Sequence, residues 1–233
     1  MKTKTQKTKE RSSFRTYSLI LALCIPMIAA GGCDTTQSRT DQPGQLRVVM
    51  QIDTNPVSVA PFNAAVSDDI LILEEVKMFV EEFELEGENF ELEIENFVVD
   101  LPLNETPFVL FDQQIPGAKL EELELEIDKP DDDVNLQDPD FRDENGSYSI
   151  IVKGTFNGNP FVFRSQKEFE FEFEWEPPIS ISEDEGATVV VAIDLSKWFL
   201  QEDGTNLDPR DESHASKINS NIKKSFRTVI NWH

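Results

Sequence analysis

Apolar residues recur at every second position over most of this chain, and the period changes only near its end. Leu46, Val48, Met50 and Ile52 alternate with Arg47, Val49, Gln51 and Asp53, which predicts a first strand. Asn55-Pro56 and Pro61 mark a loop that runs to Asp69. Residues 70–86 fit two periods: Leu73, Val76, Lys77, Val80 and Phe83 have helical spacing, whereas Val76, Met78 and Val80 alternate. The stretch reads as a strand with a bulge near Glu81-Glu82. A turn at Gly87-Glu88-Asn89 follows, then Phe90, Leu92 and Ile94 alternate with Glu91, Glu93 and Glu95.

Further along, residues 97–101 and 108–111 predict short strands, and Pro116-Gly117 a turn. Leu123, Leu125 and Ile127 alternate with Glu122, Glu124 and Glu126, and residues 128–146 read as a long acidic loop. Asn157-Gly158 between residues 148–156 and 161–165 predicts a hairpin, because both turn positions need positive φ. In residues 167–176, Phe169, Phe171, Phe173 and Trp175 take one face and Glu168, Glu170, Glu172, Glu174 and Glu176 the other. Pro177-Pro178 is expected to stop that strand, with Ile179 and Ile181 leading into an Asp184-Glu185-Gly186 turn. Residues 188–195 are almost continuously apolar, as a central strand is.

Trp198-Phe199 reads as a plug over the core. Beyond it, Ile218, Ile222, Phe226 and Ile230 recur every four residues behind Asp211 and Ser213 as caps, predicting an amphipathic helix over about 212–230. Short strands followed by one helix imply an all-β fold. The expected form is an antiparallel β-sandwich, immunoglobulin-like or prealbumin-like, with an appended C-terminal helix, in one domain over 46–233.

Charge sharpens this picture. The 233 residues carry a formal charge of −24, and removing residues 1–32 makes it −29. Such a surface repels nucleic acid and anionic lipid, so neither is expected as a direct partner. The alternation of Phe, Val and Ile separates the chain from a disordered acidic tract. Several strands present faces of glutamate alone, and like charges on neighbouring strands are unfavourable. Lys217, Lys223, Lys224 and Arg227 of the expected helix are predicted to dock near one such face and offset it.

The N-terminus supplies an address. Six basic residues in 1–15 precede a short apolar run, 19–30, broken by Pro26. That is the layout of a secretory signal, too short to span a bilayer as a helix. Ile28-Ala29-Ala30-Gly31-Gly32-Cys33 resembles the lipobox of bacterial lipoproteins, which implies cleavage before Cys33 and lipid on its sulfur. Ala30 stands where those proteins usually carry leucine, so ordinary signal cleavage near Ala30 is the alternative. Cys24 lies in the leader, and a mature chain keeping only Cys33 has no internal disulfide. Residues 33–45 then form the lipidated cysteine and a polar, flexible tether. The expected location is the bacterial cell envelope, membrane-anchored and facing the periplasm or the exterior.

Candidate chemistry is sparse. Asp131, Asp132, Asp133, Asp138, Asp140 and Asp143 could together offer oxygens to Ca²⁺, which accepts irregular geometry, although Arg142 interrupts an EF-hand spacing. Glu202, Asp203, Asn206 and Asp208 around Gly204 form a second acidic cluster. His214 and His233 are the only histidines, so no zinc set arises. There is no G-x-S-x-G elbow. The strand glutamates point outward to water, where ordinary pKa values unsuited to acid–base work are expected. The chain is therefore read as no enzyme and as needing no cofactor, save Ca²⁺ in the loop.

Five segments carry a family resemblance: Ile115-Pro116-Gly117, Asp128-Lys129-Pro130-Asp131-Asp132-Asp133, the run from Lys153 to Phe161, Asp194 to Phe199 with Leu207-Asp208-Pro209, and Asn221 to Phe226. Together they resemble a group of uncharacterised bacterial lipoproteins with a domain of unknown function. The resemblance implies a β-sandwich at the envelope and brings no activity. The expected role is a binding or structural module whose partner is a polysaccharide or another envelope protein. The alternative is a calcium-dependent carbohydrate-binding or adhesion domain.

Overall fold

In the computed structural model, which describes residues 43–53, 69–136, 138–182 and 186–233, the alternating segments become two main sheets. The leader with Cys24 and Cys33, the tether to residue 42, and Asp184-Glu185 of the expected turn lie outside the described residues. In chain order the strands are β1 (Gly44–Ile52), β2 (Leu71–Glu88), β3 (Phe90–Asp100), β4 (Phe108–Ile115), β5 (Ala118–Ile127), β6 (Arg142–Asp143) and β7 (Gly146–Ser147). They continue as β8 (Ile150–Phe156), β9 (Asn159–Ser165), β10 (Phe169–Ile181) and β11 (Ala187–Ile193); helix α1 (Ala215–Ile222) precedes β12 (Phe226–Trp232).

The smaller sheet has the order β12-β11-β1-β4. Its apolar strand β11 is central, as expected, and runs parallel to β1; the β1–β4 and β11–β12 pairs are antiparallel. The larger sheet is organised by β2. Val80 pairs with both Ile127 of β5 and Phe97 of β3, and Lys77 with both Ile151 of β8 and Asp100 of β3. So β5 and β8 share one edge of β2 end to end, and β3 takes the other. β10 and β9 pair outside β5 and β8. The expected bulge is present: register shifts between Val80 and Glu82, which lets Val80 and Phe83 both face inward. Asn157 and Gly158 both have positive φ, 52° and 74°, as their hairpin turn requires.

The inner faces close on one core from both sheets, including Val48, Met50, Phe83, Leu123, Phe169 and Val191. Phe171 of β10 stacks on Phe226 of β12 with ring centroids 4.1 Å apart. Trp198 and Phe199 are buried plugs, and the Trp198 indole N–H donates to Ser225 Oγ at 2.7 Å. Arrangement and strand content are those of a β-sandwich rather than a closed barrel.

Three expectations change. The C-terminal helix is only Ala215–Ile222, preceded by a short 3₁₀ turn at Glu212–His214, and the chain then reverses into β12. Thr228, Val229 and Ile230 favour a strand, and β11 supplies the hydrogen-bonding edge. Pro177-Pro178 does not end β10, which continues to Ile181 across a register shift. As the outermost strand beside β5, β10 has a free edge where proline is tolerated. Finally, residues 90–100 form one strand, β3, rather than two. Among the described residues no helix is long and apolar enough to cross a membrane.

Candidate functional site

Pairing register turns the separate glutamate faces into one lattice. Glu95–Glu82–Glu126–Glu170, Glu93–Glu84–Glu124–Glu172 and Glu91–Glu86–Glu122–Glu174 form three rows across β3, β2, β5 and β10. Between them run the inward residues of the same strands, such as Ile94–Phe83–Leu125–Phe171, so core packing fixes the register. Directly opposed side chains lie about 5 Å apart at Cβ, and successive rows about 7 Å. Two unit charges 5 Å apart repel by about 0.8 kcal/mol even in water. Glu84 and Glu124 have such neighbours on all four sides.

Burial compounds the repulsion. Glu82, Glu84, Glu122, Glu124 and Glu126 in the two middle columns are half-buried, whereas the outer columns on β3 and β10 are exposed. Burial, a hydrogen bond shared with Glu86, and the charges of Glu86, Glu82 and Glu124 push Glu84 up to about 7. Burial, then Glu81, Glu168, Glu82 and Asp128, push Glu126 up to about 7 as well. Glu122 and Glu124 rise for the same reasons, burial first and neighbouring carboxylates second. The outward placement of these residues is as expected, but the ordinary pKa values are not: register, which sequence alone does not supply, opposes like charges.

Basic residues sit at the margins of the lattice. Lys119, paired in register with Glu88, holds that carboxylate at 2.8 Å. Of the four bases expected to offset the lattice, Lys217 pairs instead with Glu202 at 3.0 Å and Arg227, which lies on β12, with Asp53 at 2.7 Å.

Beyond the other margin, the acidic loop folds over the outer face of β2 and β8. Phe141 and Tyr148 from the loop pack on Phe79 and Ile151 in a second small core. An ion cluster clips the loop down. Lys77 Nζ lies 2.8 Å from Asp138 Oδ2 and 3.4 Å from Asp140 Oδ2, and Lys153 Nζ lies 2.6 Å from Asp140 and 2.8 Å from Glu75. Burial works against the charge on Lys77, but the hydrogen bond and charge of Asp138 outweigh it and hold its pKa above the usual range. Hydrogen bonding from Lys153 holds Asp140 below the usual carboxylate range.

The six aspartates singled out for calcium therefore divide. Asp138 and Asp140 serve the two lysines. Asp143 accepts from the Tyr148 hydroxyl at 2.8 Å, and exposed Asp131, Asp132 and Asp133 line an open cleft of about 680 Å³ with Lys129 and Arg142. The second cluster disperses: Glu202 goes to Lys217, Asp203 to Thr205, Asp208 to Arg210, and buried Asn206 donates to the Asp69 carbonyl. Among the described residues, no three His, Cys, Asp or Glu side chains converge as metal ligands.

Compared with known proteins, the chain matches no family model, no curated protein and no solved structure. Three of the four glutamate columns are legible in the sequence as Glu-alternating segments, and the fourth, Glu82, Glu84 and Glu86 of β2, lies in the stretch that fits two periods. Their gathering onto one face is not legible there.

Proposed function

We propose that this is a lipid-anchored protein of the bacterial cell envelope, of the uncharacterised lipoprotein kind its sequence resembles, working without catalysis as a binding or structural module. The lattice is the face it offers, and its partner is a lysine- or arginine-rich segment of another envelope protein. One observation carries the reading: a broad, regular sheet face whose twelve in-register positions are all carboxylates. Such a face steers and holds a cationic partner through charge complementarity. The raised carboxyls lie on an open sheet face and none of them lines the cleft by the acidic loop, which favours binding over acid–base chemistry. The lipobox-like ending at Cys33 supports the address. A calcium-dependent adhesion role draws on the loop, where two of the six aspartates are already engaged by lysines.

Two measurements test this. Intact mass of the membrane-extracted chain is expected to begin at an acylated Cys33, and Cys33→Ser to leave the membrane fraction. Binding of a lysine-rich peptide to the full chain at low salt is expected to weaken at least tenfold in a variant with Glu84, Glu122, Glu124 and Glu126 all changed to Gln. The Asp131→Asn, Asp132→Asn, Asp133→Asn variant should bind as before. Equal loss in both variants, or in neither, contradicts the assignment of the face.

A further inference from the structure

The register of the large sheet forces carboxylates together in a half-buried plane, and among the described residues the lysines in ion pairs near it hold carboxylates outside its three rows. Lys119 is held by Glu88, Lys77 and Lys153 by Glu75, Asp138 and Asp140, and Lys217 by Glu202. From every packed element the groups facing the two middle columns are acidic. Glu84 faces Glu93 on β3, Glu124 on β5, and Glu82 and Glu86 on its own strand. Glu124 faces Glu84 and Glu172, and Glu122 faces Glu86 and Glu174. Glu126 faces Glu82 and Glu170, with Glu81, Glu168 and Asp128 beside it. A sheet whose core fixes this register cannot relax by sliding, because a one-residue slip would expose the apolar set. With no cation bound on the face, protonation is what relieves it.

We propose that the lattice is a proton-operated charge switch: on acidification from mildly alkaline pH the folded domain takes up protons on the crowded middle-column carboxylates Glu84, Glu122, Glu124 and Glu126, and the face loses part of its negative charge while the fold tightens. The behaviour belongs to the sheet itself and stands whether or not the face has the partner proposed above. The directions of the carboxyl shifts agree with it, Glu84 and Glu126 being the largest. A lattice that discharges near neutrality grips a cationic partner at mildly alkaline pH and releases it on acidification.

The test is carboxyl titration of the full chain carrying ¹³C-labelled glutamate. At least two resonances are expected to titrate near pH 7 and to disappear in the isosteric double variant Glu84→Gln, Glu126→Gln. If every glutamate titrates below about pH 5, the proposal is overturned. Potentiometry gives a second reading that needs no variant. At pH 6 the folded chain should hold about two more protons than the chain unfolded in urea, since an unfolded glutamate is almost fully ionised there. Equal or lower proton binding in the folded state contradicts the switch, whatever the peptide-binding measurement gives.

Discussion

Glu84 faces Glu124 directly across the β2–β5 pair, and each has a further carboxylate, Glu93 or Glu172, on its far side. The four form a row of like charges held by the apolar rows above and below it. A cation placed in the middle of that row should therefore stabilise the fold. Glu124→Lys is expected to raise stability at pH 8 by about 1 kcal/mol, an ion-pair gain of ordinary size, measured by urea unfolding. A loss of stability would mean that the row is not under repulsion.

Lys77 is the centre of the clip that holds the acidic loop to the sheet. Lys77→Met keeps the stem and removes the charge, leaving Asp138 Oδ2 without its basic partner, while Asp138 Oδ1 still accepts from the Asp140 backbone N–H and Asp140 Oδ2 keeps Lys153 alone. The expected cost is about 1–3 kcal/mol, that of stranding a partly buried charged group. Amide hydrogen exchange should quicken in residues 130–147 and stay unchanged in β11. Uniform acceleration throughout would show that the clip is not local.

Ser225 joins the helix to the core: its Oγ donates to the Ile222 carbonyl and accepts from the Trp198 indole, and all three residues are buried. Ser225→Ala leaves the indole N–H unpaired, which is expected to destabilise by about 1–3 kcal/mol in denaturant titration. An unchanged midpoint would contradict the hydrogen-bond account of this corner.

The same corner explains what the sequence could and could not convey. Ile218, Ile222, Phe226 and Ile230 keep one period, yet the first two lie on α1 and the last two on β12, because the reversal at Ser225 happens to preserve the spacing. Local patterning was sufficient where a strand's own alternation decides its face, as in the Phe/Glu run of β10, and where turn chemistry is specific, as at Asn157-Gly158. It failed where a partner decides. Pro177-Pro178 is tolerated only because β10 lies at an edge, and Lys77 finds Asp138 across 61 positions of chain. The lattice belongs to the second kind: the glutamate faces of β3, β5 and β10 were legible, but that of β2 and the opposition of Glu84 to Glu124 depend on long-range register.

Thermal unfolding of the full chain across pH tests most directly the claim that the fold forces these carboxylates together. Burial and neighbouring carboxylates push Glu84 and Glu126 up to about 7 in the folded chain from an ordinary 4.5. Their contribution is thus fully present below about pH 4.5 and is lost as pH rises through about 7. Asp140, lowered by Lys153, contributes in the opposite sense: its share is present above its ordinary value of 3.8 and is lost on further acidification. The account predicts a Tm that climbs as pH falls from about 8 to about 5 and declines only in stronger acid, with a shallower climb in Glu84→Gln, Glu126→Gln. A Tm that is highest near neutrality and falls steadily toward pH 5 would contradict it.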